Sequence, residues 1–134
     1  MKTIAYLLFY LYIGVFVLAG AWGAFGGADF DQRLLFQVDT STLSDIARAS
    51  LLSQYRFLRA VELFFGIWAI AFTHEIFSVK KFNWLFLLLM GGGVIARIIS
   101  LLFDGQPLPI FYFFLGYEIL GFFCIWFYTK TRLI

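Results

Sequence analysis

"SQYRFLRAVELFFGIWAIAF", residues 53–72, is the stretch on which the reading of the fold turns. Its second half reads as a membrane span, while its first half carries Arg56, Arg59 and Glu62. A soluble helix would wear such charges on a solvated face. The rest of the chain argues against that. Of its 134 residues, 63% are hydrophobic, 22% aromatic and only 13% charged. An ordinary soluble domain is about 45–50% apolar and about 25% charged. This chain has too few polar side chains to cover a soluble surface, so residues 53–72 are expected to enter a bilayer, where their charges need partners.

Working outward, four apolar runs are separated by polar punctuation: residues 3–25, 51–73, 82–103 and 108–128. Each is about 20 residues long, matching a hydrocarbon core of about 30 Å at 1.5 Å rise per residue. Lipid-exposed backbone must satisfy its own hydrogen bonds, so each run is expected to be helical. The predicted fold class is all-α, an integral membrane antiparallel four-helix bundle in a single domain, residues 1–134. Its helices are placed at about 3–26, 44–74, 81–103 and 108–129, with an outer loop at about 27–43. The first run follows Lys2 and ends near small residues, as a signal peptide does. It is longer than the apolar core of about 7–15 residues of such signals and is read as a retained helix.

Charge sets the expected orientation. With the N-terminus inside, Lys2, Lys80, Lys81, Lys130 and Arg132 fall on the inner side with Glu75. Asp29, Asp31, Asp39, Asp45 and Asp104 fall outside with Arg33 and Arg48. This is a positive-inside distribution with both termini cytoplasmic. It also accounts for the net charge of +2. The basic residues form no stripe with interleaved stacking aromatics, so nucleic acid is not an expected partner. In the long outer connection, Thr42 and Asp45 stand at capping-box spacing, so the second helix is expected to begin near there.

The polar residues inside the runs recur on single helical faces. Tyr55, Arg59, Glu62 and Gly66 are spaced i, i+4, i+7, i+11. Gly93, Arg97, Ser100 and Asp104 repeat that spacing in the third helix, and Glu118 shares a face with Gly121 in the fourth. On the expected orientation these charges lie in the outer half or the middle of the bilayer. One charged residue at the centre costs about 2.5–3.5 kcal/mol on insertion scales, so four are expected to pair. The expected pairing sets Arg59 and Arg97 against Glu62 and Glu118, with Arg56 near Asp104 at the surface. The candidate cluster is Tyr55, Arg56, Arg59, Glu62, Arg97, Ser100, Asp104 and Glu118. It suits three roles: fixing helix register, binding an amphiphilic ligand such as a lipid or quinone, or acid–base catalysis on a lipid-like substrate. In the last, Glu62 or Glu118 would be the catalytic group. A channel or small transporter would need acids through the full thickness, and the inner half offers only His74 and Glu75 at its surface.

No metal or cofactor is expected. "THE" at 73–75 is not followed by a second histidine at metal spacing, and Cys124 is alone in an apolar run. "MGGGVIA" at 90–96 lacks the Lys-Ser/Thr end of a phosphate loop. Its glycines are expected to permit close helix approach or a cavity-widening kink.

"YRFLRAVELFFGIW", "GGGVIARIISLLFDGQPLP" and "LGYEILG" together resemble a small bacterial four-helix membrane family of unknown function. The resemblance rests on Arg56 and Phe57 opening the second helix, on Gly92, Gly93, Arg97 and Ser100, on Gly105 and Pro107, and on Glu118. It covers the last three helices; the first matches in length alone, without the proline expected after it. The layout is similar to DoxX-like small membrane proteins. It is more distantly similar to four-helix sterol isomerases, whose histidine inside a helix this chain lacks. The resemblance implies a bacterial inner-membrane protein with no established activity. Expected partners are membrane lipids, with a larger membrane complex, joined as an accessory subunit, or a second copy of the chain as further candidates.

Overall fold

The computed structural model describes residues 1–133, and these are helical with no strand among them. The helices are α1 (Lys2–Phe25), α2 (Ala28–Phe36), α3 (Asp45–Ala71), α4 (Thr73–Ser78), α5 (Lys80–Phe103) and α6 (Pro109–Lys130), with a 3-10 turn at Thr40–Thr42. Three of them, α1, α5 and α6, are long and apolar enough to cross a membrane. The remaining long helix, α3, has 27 residues but carries Asp45, Arg48, Arg56, Arg59 and Glu62.

Three expectations are corrected. The outer loop at 27–43 contains a helix, α2, whose face Ala28, Asp31 and Gln32 is buried at i, i+3, i+4 spacing. The second predicted helix, 44–74, is two helices. It stops at Ala71 and restarts at Thr73 as α4, with the Thr73 hydroxyl within hydrogen-bonding distance of the Ala69 and Ile70 carbonyls (3.0 and 2.9 Å). That hydroxyl supplies a partner at a helix end where the backbone offers none. The N-cap of α3 is Ser44, whose hydroxyl accepts from the Ala47 amide at 3.3 Å; Thr42 belongs to the preceding turn.

The chain divides into two compact units, residues 13–68 and residues 1–12 with 69–134; α1 and α3 contribute to both. In unit 13–68, α1 and α3 meet backbone to backbone. A Cβ added at Gly20 would lie 2.7 Å from the Leu63 amide nitrogen and 2.8 Å from the Arg59 carbonyl oxygen. Only glycine permits that approach, and close approach is how helices gain contact where lipid supplies no hydrophobic drive. The other unit is built on aromatic packing. The Tyr6 and Phe77 rings stack at 4.0 Å, and Phe9 meets Phe77 and Phe86 at 5.2 and 5.1 Å. Buried Asn83 donates to the Ile76 carbonyl at 3.0 Å and accepts near the Thr129 hydroxyl at 3.3 Å, tying α4, α5 and α6 together. Between α5 and α6, Gly105 takes a φ of +102°, a left-handed turn that side chains disfavour, and Pro109 opens α6 with its φ already helical.

Leu7, Leu18, Leu88, Leu102, Phe103 and Phe113 are all exposed. So many large exposed apolar side chains suit a lipid surround, consistent with the three candidate spans.

Gly20→Leu is expected to lower the melting temperature in detergent by several degrees, because the added side chain meets backbone that cannot rotate away. Gly14→Ala, whose Cβ would meet nothing within 4 Å, is expected to leave it unchanged.

Candidate functional site

The predicted polar residues are positioned in both units, and each ion pair closes within its own. In unit 13–68, Arg59 is held from two sides. Its Nε donates to the Tyr55 hydroxyl at 2.8 Å and its Nη1 to Glu62 Oε2 at 2.6 Å. The guanidinium also lies 5.0 Å from the Tyr55 ring centroid, a cation–π distance. The i, i+4 and i, i+3 spacings on α3 make this local pairing possible. Gly23 of α1 makes room for the arginine stem, since a Cβ there would lie 2.5 Å from Arg59 Cγ.

The chain of bonds continues to a residue that sequence reasoning assigned to the outer loop. Asp31 is buried, accepting from Tyr55 Oη at 2.7 Å and from Trp22 Nε1 at 3.1 Å. Arg56 donates from Nη1 to the Ala24 carbonyl at 2.7 Å, which corrects the expected pairing with Asp104. A backbone carbonyl at the end of α1 is an acceptor with no sequence signature. Buried Asp31 and half-buried Glu62 thus lie in the same unit as half-buried Arg56 and Arg59, two charges of each sign. Asp31 was readable only through the spacing of Ala28, Asp31 and Gln32, once α2 is recognised as a helix.

Farther along the same connection, Asp29 accepts from the Thr40 hydroxyl at 2.6 Å and from Arg48 Nη2 at 2.9 Å. The Thr40 hydrogen bond, and after it Arg48, hold its carboxyl below the usual carboxylate range.

In the other unit, Arg97 of α5 grips Glu118 of α6 with a two-point fork. Nε donates to Oε2 at 2.8 Å and Nη2 to Oε1 at 3.0 Å. Glu118 is buried, its side chain only 7% exposed, while that of Arg97 is 36% exposed. Planar guanidinium and planar carboxylate match in such a fork, which carries geometric specificity as well as charge. Arg97 also lines a cleft of about 70 Å³ with Ser100, Pro107 and Tyr112. Asp104 takes no part in an ion pair among the described residues; it caps α5, its amide donating to the Ser100 carbonyl. The structure therefore gathers Tyr55, Arg59 and Glu62 in one group and Arg97, Ser100 and Glu118 in another.

A family of proteins described as a domain of unknown function (DUF4345) matches residues 3–129. The chain belongs to the DUF4345 family. The DUF4345 match takes in α1, which the motif resemblance reached only by length, and it contains every residue of both groups. No curated protein and no solved structure matches the chain. Among the described residues of this DUF4345 member, no cluster of three or more His, Cys, Asp or Glu side chains is placed to hold a metal.

Arg97→Leu strands a buried carboxylate and is expected to lower the melting temperature in detergent by about 5 °C or more. Arg33→Leu, on the exposed face of α2, is expected to shift it by no more than about 2 °C. Circular dichroism melts of the two variants check this.

Proposed function

We propose that this DUF4345 protein is a non-catalytic integral membrane protein that crosses the bilayer four times and binds an amphiphile, a lipid or a quinone, by its head group. The fourth crossing is α3. Its apolar residues from Leu63 to Ala71 carry it through the inner half, and the bonds around Arg59 relieve the cost of its charges in the outer half. The positive-inside distribution sets Lys2, Lys80, Lys81, Lys130 and Arg132 in the cytoplasm of a bacterial cell.

The observation that carries the binding role is the clamp on Arg97. Its Nε and Nη2 are committed to Glu118, so the guanidinium is fixed, yet part of the side chain still faces the cleft beside Ser100 and Tyr112. A fixed cation beside two hydroxyls suits a carbonyl or anionic head group. About 70 Å³ admits such a group and no more, since a pocket that encloses a whole small molecule takes about 300–1,000 Å³. The body of the ligand then lies along the apolar outer surface of α5 and α6. A catalytic role is less well supported. Acid–base chemistry needs a carboxylate free to take up and release a proton, and Glu62 and Glu118 are each engaged by an arginine. The same head-group site serves a protein acting alone or as an accessory subunit of a larger complex.

Ser100→Leu fills the cleft without touching the Arg97–Glu118 fork. Native mass spectrometry of the wild type, gently extracted from membranes, is expected to show a noncovalent adduct of lipid or quinone mass that Ser100→Leu lacks at equal melting temperature. Identical spectra for the two proteins contradict the proposal.

A further inference from the structure

A second feature of α5 and α6 lies at the other end of the hairpin and is independent of the Arg97 cleft. Two cavities open between the helices. One, of about 280 Å³, is lined by Lys80, Asn83 and Lys130 as well as by apolar groups. The other, of about 410 Å³, is lined by Gly91, Gly92, Ile95, Phe122 and Phe123. Trp84, Leu87 and Trp126 line both, so the two are one groove, with lysines at one end and purely apolar walls at the other.

The groove follows from the sequence. Trp84, Leu88, Gly91 and Ile95 stand at i, i+4, i+7, i+11 on one face of α5. A Cβ on Gly91 would come within 3.1 Å of Phe122, so α6 packs closely there, whereas a Cβ on Gly92 would meet nothing within 4 Å. The side chain that Gly92 lacks is part of the open volume. From Lys80 to Ile95 the groove runs 15 residues, about 22 Å at the helical rise. That exceeds the depth of one leaflet's hydrocarbon, about half of 30 Å.

The charges sit only at the end. Lys80 begins α5 and Lys130 closes α6; both are exposed, and no carboxylate lines either cavity. Lys130 lies 4.9 Å over the Trp126 ring, which carries its ammonium to the rim. The first-turn amides of α5 have no side-chain cap, so backbone N–H groups add to the positive potential at that point. A groove of this volume, apolar over most of its length and with two lysines at one end, complements one kind of occupant.

We propose that this groove seats an acyl chain of an anionic phospholipid, with its phosphate held between Lys80 and Lys130. The lysines fall on the cytoplasmic side of the orientation above, so the lipid belongs to the inner leaflet, where basic pockets between membrane helices recognise such head groups. The outer cleft and the inner groove then hold different molecules from opposite leaflets.

The test uses the full chain in nanodiscs containing equal amounts of phosphatidylglycerol and phosphatidylcholine, with native mass spectrometry counting the lipids retained after release. The wild type is expected to retain phosphatidylglycerol over phosphatidylcholine by about tenfold. Lys80→Gln with Lys130→Gln, both at exposed positions, is expected to abolish that preference with an unchanged melting temperature. Gly92→Leu, which projects into open volume, is expected to reduce retention of both lipids. Ser100→Leu is expected to leave the preference intact, which separates this site from the outer cleft. Equal retention of the two lipids by the wild type overturns the proposal. So does a preference that survives loss of both lysines, or a second copy of the chain retained in place of lipid.

Discussion

The unit of residues 13–68 depends on how the charges along α3 are neutralised. Arg59 is the key case. Alone on α3 its charge would have no partner, but Tyr55 one turn before it and Glu62 one turn after it hold its guanidinium on a single face. Tyr55 in turn hands the connection to Asp31, outside α3 altogether. The result is a bonded path from a helix in the connection to the interior of a long helix. It fixes rotation about the α3 axis, because turning the helix by one residue would break the path and leave its charges without partners. The glycines at 20 and 23 are the steric counterpart of this polar constraint, admitting the α3 backbone and the arginine stem.

The second pair obeys the same rule differently. Arg97 and Glu118 are on different helices, so their fork fixes α5 against α6 directly. The arginine donates to the acid with two of its three nitrogens, and its side chain, still partly exposed, also lines the cleft. A lysine would supply the charge without the planar two-point grip, and the cation would not be held in place against α6. The same interaction that fixes the packing is the one on which the binding role is proposed.

The long apolar elements were legible in the sequence because their signal is length and hydropathy; α1, α5 and α6 begin and end within a residue or so of their expected bounds. Arg59 with Glu62 and Arg97 with Glu118 join residues expected to pair, since an isolated charge in lipid is costly, whereas the Arg48–Asp29 pair was not foreseen. What escaped was what no local pattern announces. The break at Phe72 carries no glycine or proline; a threonine hydroxyl beside it bonds the preceding carbonyls. The helix α2 is nine residues long, too short for its period to stand out between glycines and a polar run. Asp31 looked like one of several loop acids until α2 turned it inward. The acceptor of Arg56 is a main-chain oxygen, which has no letter in the sequence. The glycines at 91–93 were readable as a place of special packing, but only the packing of Phe122 distinguishes close approach at Gly91 from open space at Gly92.

The central claim is that α3, charges included, crosses the membrane. The most direct measurement is thiol labelling in sealed vesicles of known orientation, using Ser44→Cys and Ser78→Cys singly in a Cys124→Ser background with a membrane-impermeant maleimide. Ser44 precedes α3 and Ser78 ends α4. The account predicts that in right-side-out vesicles the residue-44 thiol is labelled at once and the residue-78 thiol only after the membrane is permeabilised. Equal labelling of both thiols before permeabilisation would contradict it.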